Sequence, residues 1–155
     1  MQSISPTTSL PEEQQVMTLL LELLKQEQSH LVSADIDSLT EVTAQKSNLV
    51  GKMAALANLR HNALGATGFA AQESGMQAWM TARGNSADIK LWQQVLDLTR
   101  AAKEINRVNG MLINKHMVHS QGALNALHPN AQGSDVYGPS GHASKAPANR
   151  RFVIG

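Results

Sequence analysis

The sequence predicts an all-α fold: an elongated antiparallel helical hairpin of two long coiled-coil-like helices, with a short connecting helix and a disordered C-terminal tail. Three observations predict it. Hydrophobic residues make up 42% of the 155 but aromatics only 3%, so the apolar content is Leu, Ala, Val, Met and Ile, the residues of helix seams. No proline stands between Pro11 and Pro129, which leaves long helices free to run. Between them, apolar residues recur at helical spacing.

Residues 1–10 are rich in Ser and Thr and read as a flexible N-terminus. Ser9-Leu10-Pro11-Glu12 has the form of a capping box, with proline where no intrahelical N–H is required. The first helix is expected from about 11 to 64. Its stripe runs Val16, Leu20, Leu23, Leu24 and Leu31, then Leu39, Val42, Leu49, Met53 and Leu56. Asp35, Asp37, Thr40 and Glu41 dilute the stripe in the middle, where a bend or phase shift is expected. Gly65 and Gly68 supply the left-handed freedom that ends a helix. A short helix over about 71–82 follows, carrying Met76, Trp79 and Met80. Asn85, with Asp88 three residues on, then signals a new helix start.

The last helix, about 86–127, has the clearest period. Leu91, Leu98, Ile105, Leu112 and His119 are spaced by sevens. Val95, Ala102, Asn109, His116 and Ala123 form a second register offset by four, and together the two make an a/d seam. The first half of the seam is apolar and the second half polar. From Glu12 to Arg60 acids outnumber bases, and from Asp88 to Lys115 the balance reverses, which favours antiparallel packing of the two segments. Residues 128–155 are rich in Gly, Ser, Ala and Pro. They lack the apolar surface to offset ordering entropy, so a disordered tail is expected, with Val136-Tyr137 and Phe152-Val153-Ile154 as short apolar islands.

Composition narrows the function classes. A net charge of +1, with no aromatic set among bases, gives no nucleic-acid surface. The absence of cysteine excludes thiolate chemistry, disulfides and Cys-ligated zinc, and suits a reducing cytoplasm. The N-terminus has no basic start or apolar stretch of a signal peptide, and Val16–Leu24 is too short to span a bilayer. Neither a metal nor a cofactor is expected. His116 and His119 lie one turn apart but have no third ligand nearby. His61-Asn-Ala-Leu-Gly65 loosely resembles a phosphotransfer histidine, with Leu64 where a stabilising lysine would stand. Asp35, Asp37 and Glu41 read as a solvated face, not as acid–base machinery. No nucleophile–base constellation is present, so the chain reads as non-enzymatic.

What remains is apolar helix surface. Val16–Leu24 is apolar nearly all round, more than one neighbouring helix can cover. In an antiparallel hairpin it would lie opposite the polar segment 114–127 and leave a groove for a helix from another chain, lined by Leu20, Leu24, Leu112 and Leu124. Self-pairing through the same surface, giving a homodimeric coiled-coil adaptor, is the alternative. A histidine phosphotransfer bundle built on His61 is a more distant one.

Several motifs occur together in order. They are Asp35-x-Asp37-x-Leu39 with Thr40-x-x-Thr43-x-x-Lys46 and Leu49; Ile105-Asn-Arg-Val-Asn-Gly-Met-Leu-Ile113 with Gln121-x-Ala-Leu-x-x-Leu127; and Val136-Tyr-Gly-x-x-Gly141. In this order the chain resembles the FlgN family of flagellar type III export chaperones over about residues 10–141. The resemblance implies a cytoplasmic protein that binds the C-terminal helical regions of hook-associated (hook–filament junction) proteins. It also implies that the protein prevents their premature assembly and delivers them to the export gate. Tyr137 and Gly138 would then dock the loaded protein on the gate's cytoplasmic domain. The basic, apolar-tipped end Arg150–Ile154 has no counterpart in that picture.

Overall fold

The computed structural model describes residues 4–127. The predicted disordered tail, with Tyr137, Gly138 and the Arg150–Ile154 end, lies outside the described residues. Four helices make up the described fold: α1 (Leu10–Ser33), α2 (Ile36–Ala66), α3 (Glu73–Arg83) and α4 (Ser86–Leu127). The fold is all-α, with no strand among the described residues.

The expected single first helix is two helices. Ala34 adopts φ 57° and ψ 36°, the left-handed conformation that closes α1, and its N–H bonds back to the carbonyls of His30 and Leu31. Asp35 then caps α2. Its Oδ1 accepts from the Ser38 amide and its Oδ2 from the Ser38 hydroxyl. These hydrogen bonds hold the Asp35 carboxyl below the usual carboxylate range. The polar stretch that promised a bend therefore contains a complete stop and restart.

At the other termini, local chemistry decides. Ser9 is the N-cap of α1 but makes no side-chain cap bond. Its hydroxyl donates instead to Glu13 Oε1 at 2.7 Å, so the expected capping box with Glu12 does not form. Asn85 does cap α4, its Oδ1 accepting from the Asp88 amide at 2.8 Å. Gly65 lies within α2, and Gly68, at φ +88°, makes the turn beyond it.

The turn at Ala34 folds α1 and α2 side by side. Glu13 pairs with Arg60 and Glu27 with Lys46, so α2 descends as α1 ascends. The α4 helix runs antiparallel to α2, matching Arg60 with Trp92 and Lys46 with Asn106. It runs parallel to α1, matching Gln14 with Gln94 and Leu24 with Asn109. Val16–Leu24 thus lies beside the first half of α4, which corrects the expectation that it faces 114–127. The three long helices bury two apolar clusters. One joins Leu10, Leu64, Trp92 and Val95 to Met76, Trp79 and Met80 of α3. The other joins Met17, Leu20, Leu24 and Ala102, with Leu49, Met53, Leu98 and Ile105 packed against them.

The chain divides into two compact units, Met1–Ile113 and Asn114–Gly155. Of the second, residues 114–127 are described and are helical. No helix of the described residues is long and apolar enough to cross a membrane.

Candidate functional site

Two buried polar clusters pin the helices of the first unit. In one, Arg60 Nε donates to both oxygens of Glu13 at 3.0 and 3.2 Å, and Nη2 reaches Glu13 Oε2 at 3.1 Å and Glu73 Oε1 at 2.9 Å. The guanidinium lies over the Trp92 ring, 4.8 Å from its centre. His61 Nε2 completes the cluster, 3.1 Å from Glu73. Burial alone would favour the neutral guanidine, but the hydrogen bonds and charges of Glu13 and Glu73 outweigh it and hold Arg60 more firmly protonated. At Glu73 burial pushes the carboxyl up, while the Arg60 hydrogen bond and charge, then His61, pull it further down; the balance lies below the usual range.

The second cluster joins α1, α2 and α4. Lys46 Nζ lies 2.9 Å from Glu27 Oε2, and Asn109 Nδ2 donates to Glu27 Oε1 and to the Leu24 carbonyl. Neither cluster was anticipated from sequence, although a signal existed. Glu27 stands between Leu24 and Leu31 on the apolar stripe, Glu13 one turn before Val16 and Met17, and Arg60 between Leu56 and Leu64. A charge in phase with a buried stripe announces a buried partner.

The four leucines expected to line a groove fall in different environments. Leu20 and Leu24 are buried in the cluster with Met17 and Ala102, and Leu20 also borders a groove between α2 and α4. The turn at Ala34 lays α2 beside them, and Leu49 and Met53 of α2 pack against the same cluster as Leu98, Ala102 and Ile105 of α4. Leu112 is half-buried, and Leu124 is 54% exposed. The a/d seam of α4 accordingly changes character along its length. Val95, Ala102 and Asn109 are buried, whereas His116, His119 and Ala123 are exposed.

Apolar surface therefore concentrates on the later turns of α4. Met111, Ile113, Met117, Val118, Leu124 and Leu127 are exposed there. Met117, Leu124 and Leu127, at 65%, 54% and 74% exposure, are spaced by seven and three and so share one face. From Ile105 to Leu127 the helix carries Arg107, Lys115, His116 and His119 and no Asp or Glu. Unbranched methionine adapts to varied partners, and leucine supplies area.

The other candidate residues stand apart. Asp35 is a helix cap, Asp37 and Glu41 are exposed, and His61 is tied to Glu73. No group of three metal-ligating side chains occurs among the described residues.

The described residues define an all-α bundle pinned by buried ion pairs, with one long helix carrying an exposed apolar stripe. The family model for "FlgN protein" matches residues 1–145, and the chain belongs to the FlgN family. It is 30% identical to the flagella synthesis protein FlgN of Yersinia enterocolitica over 141 residues, 90% of this chain and 89% of that protein. It is likewise 30% identical to that of Proteus mirabilis, over 85% and 86% of the two chains. To that of Escherichia coli (strain K12) it is 29% identical, over 83% of each. No solved structure matches.

Proposed function

We propose that this chain is a cytoplasmic, non-enzymatic chaperone of flagellar export. It binds the C-terminal helical regions of hook-associated proteins, keeps them from assembling early, and delivers them to the type III export gate. The observation that carries this reading is the stripe of Met117, Leu124 and Leu127, large apolar side chains left in water on a helix of a flagella synthesis family. An amphipathic helix laid along such a stripe removes its own apolar face from water at ~25 cal/mol per Å². Part of that gain is spent in ordering the partner, which keeps capture reversible. Leu124 keeps the role expected of it, Leu112 borders the stripe, and Tyr137 with Gly138 serves the gate.

Substituting Met117→Asp together with Leu124→Asp should abolish co-purification with hook-associated proteins from a flagellated cell, while circular dichroism stays helical. Retained co-purification would refute the reading. The same stripe also favours self-pairing. Light scattering that finds a stable homodimer, dispersed by the same two substitutions and indifferent to hook-associated proteins, would replace the chaperone with a structural adaptor.

A further inference from the structure

Asn109 is followed by Gly110, and the sequence contains no other Asn-Gly pair. No contact calls for this glycine. It is exposed, it lies inside the long helix α4, and a Cβ built on it would meet nothing within 4 Å. Glycine in a helix interior lowers stability relative to alanine. What it changes is the chemistry of the residue before it. With no side chain in the way, a glycine backbone nitrogen reaches the Cγ of a preceding asparagine more readily than that of any other residue.

At Asn109 such a reaction has a structural consequence. The side chain is 1% exposed. Its Nδ2 donates to the Leu24 carbonyl at 2.9 Å and to Glu27 Oε1 at 2.8 Å, and its Oδ1 is buried with no hydrogen-bond partner. A carboxylate in its place has no proton to donate. It would face the Leu24 carbonyl and the Glu27 carboxylate, with Lys46 already committed to Glu27 at 2.9 Å. Two carboxylates enclosed together repel, and burial sharpens the cost.

Helix and packing hold the reaction off. In α4 the Gly110 amide is engaged in helical hydrogen bonding, which keeps its nitrogen from the Asn109 side chain. Yet Asn109 is the last buried residue of α4 among those described, so the junction stands at the edge of the packed region, and edges open first.

We propose that Asn109–Gly110 is a self-modification site gated by the junction of Glu27, Lys46 and Asn109. When the junction opens, the deprotonated Gly110 nitrogen attacks Asn109 Cγ. The new C–N bond forms, the Cγ–Nδ2 bond breaks, and the proton given up by Gly110 completes the departing ammonia. Water then opens the resulting succinimide at either carbonyl, giving aspartate or isoaspartate. The net change is one water in and one ammonia out. Isoaspartate also lengthens the backbone of α4 by one carbon. Neither product can remake the bonds to Leu24 and Glu27, so a chain held open for long is retired irreversibly. This goes beyond the proposed chaperone role and does not depend on it.

The test follows the full chain at 37 °C and mildly alkaline pH, with mass spectrometry of the tryptic peptide 108–115 and assay of released ammonia. Conversion at Asn109 should be slow in the folded chain and at least tenfold faster in urea, while Asn114 of the same peptide keeps its amide. Lys46→Met, without urea, should speed conversion at least tenfold. Leu64→Ala, which loosens the far apolar cluster, should leave the rate within about twofold. Gly110→Ala should slow conversion in urea at least tenfold and keep the folded chain helical. Asn109→Asp should lower the urea midpoint, and adding Glu27→Gln should return part of the loss by restoring an amide opposite the carboxylate. The proposal is overturned if Asn109 keeps its amide in urea, if Gly110→Ala converts as fast as the parent chain, or if Lys46→Met converts no faster. Equal acceleration by Leu64→Ala would also overturn it, making global unfolding the gate, as would an Asn109→Asp chain that melts like the parent.

Discussion

Asn109 Nδ2 donates to the Glu27 carboxylate at 2.8 Å, deep between α1 and α4, at the last fully buried position of the α4 seam. A lone Asn on an otherwise apolar seam lowers stability but sets register, because every slipped alignment leaves its amide unpaired. Here the acceptor is itself a buried charge, so a slip would also strand Glu27. This junction thus fixes the relative level of α1, α2 and α4 at one end, as Glu13, Arg60 and Trp92 do at the other.

Lys46→Met tests that junction. It removes the cation from Glu27, which is buried, while Lys46 itself is partly exposed. Denaturation in urea should show a loss of about 2–3 kcal/mol, somewhat below the range for a wholly enclosed pair. A loss under about 0.5 kcal/mol would mean that Asn109 alone satisfies the carboxylate.

Arg60→Met should cost more, about 3–5 kcal/mol, since it leaves the fully buried Glu13 without its cation. Against the 5–15 kcal/mol typical of a whole domain, that can decide folding. Adding Glu13→Leu should bring stability back to within about 1 kcal/mol of the parent, because an apolar pair carries no desolvation cost. Urea melts of the single and double variants measure both.

The Glu73 carboxyl titrates below its ordinary 4.5 in the folded chain. The unfolded chain then takes up its proton first. Its contribution to stability is complete above about pH 4.5 and is lost as pH falls through the lowered folded value. Melting temperature followed from pH 6 to pH 3 should fall less steeply for Glu73→Gln than for the parent chain. Parallel curves would show that Glu73 contributes nothing through its charge.

Ala34→Gly should raise stability. Ala34 is the one residue other than glycine with positive φ among those described, and left-handed backbone costs an L residue roughly 1–2 kcal/mol. Glycine also gains freedom in the unfolded chain, so the net gain should be about 0.5–1 kcal/mol in thermal or urea melts. A loss would show that the alanine methyl group matters to packing.

The helical class was legible because it rests on composition and period alone. Leu91, Leu98 and Ile105, with Val95, Ala102 and Asn109, announced the α4 seam, and all six are buried or half-buried. The stop at Ala34 was not legible. A non-glycine residue in left-handed backbone leaves no compositional mark, and the caps flanking it read equally well as a diluted stripe. That one residue changes the surroundings of Leu20 and Leu24, since the turn brings Leu49 and Met53 of α2 against their cluster.

The turn at Ala34 also bears on the order of events at the ribosome. Because α1 and α2 are neighbours in the chain, their pairing closes short loops and needs nothing made later. The pair can form once residue 66 has emerged, and α4 then arrives to find its berth already built. A nascent chain halted after α2 would carry that berth empty, with Met17, Leu20 and Leu24 waiting on the surface for the missing helix.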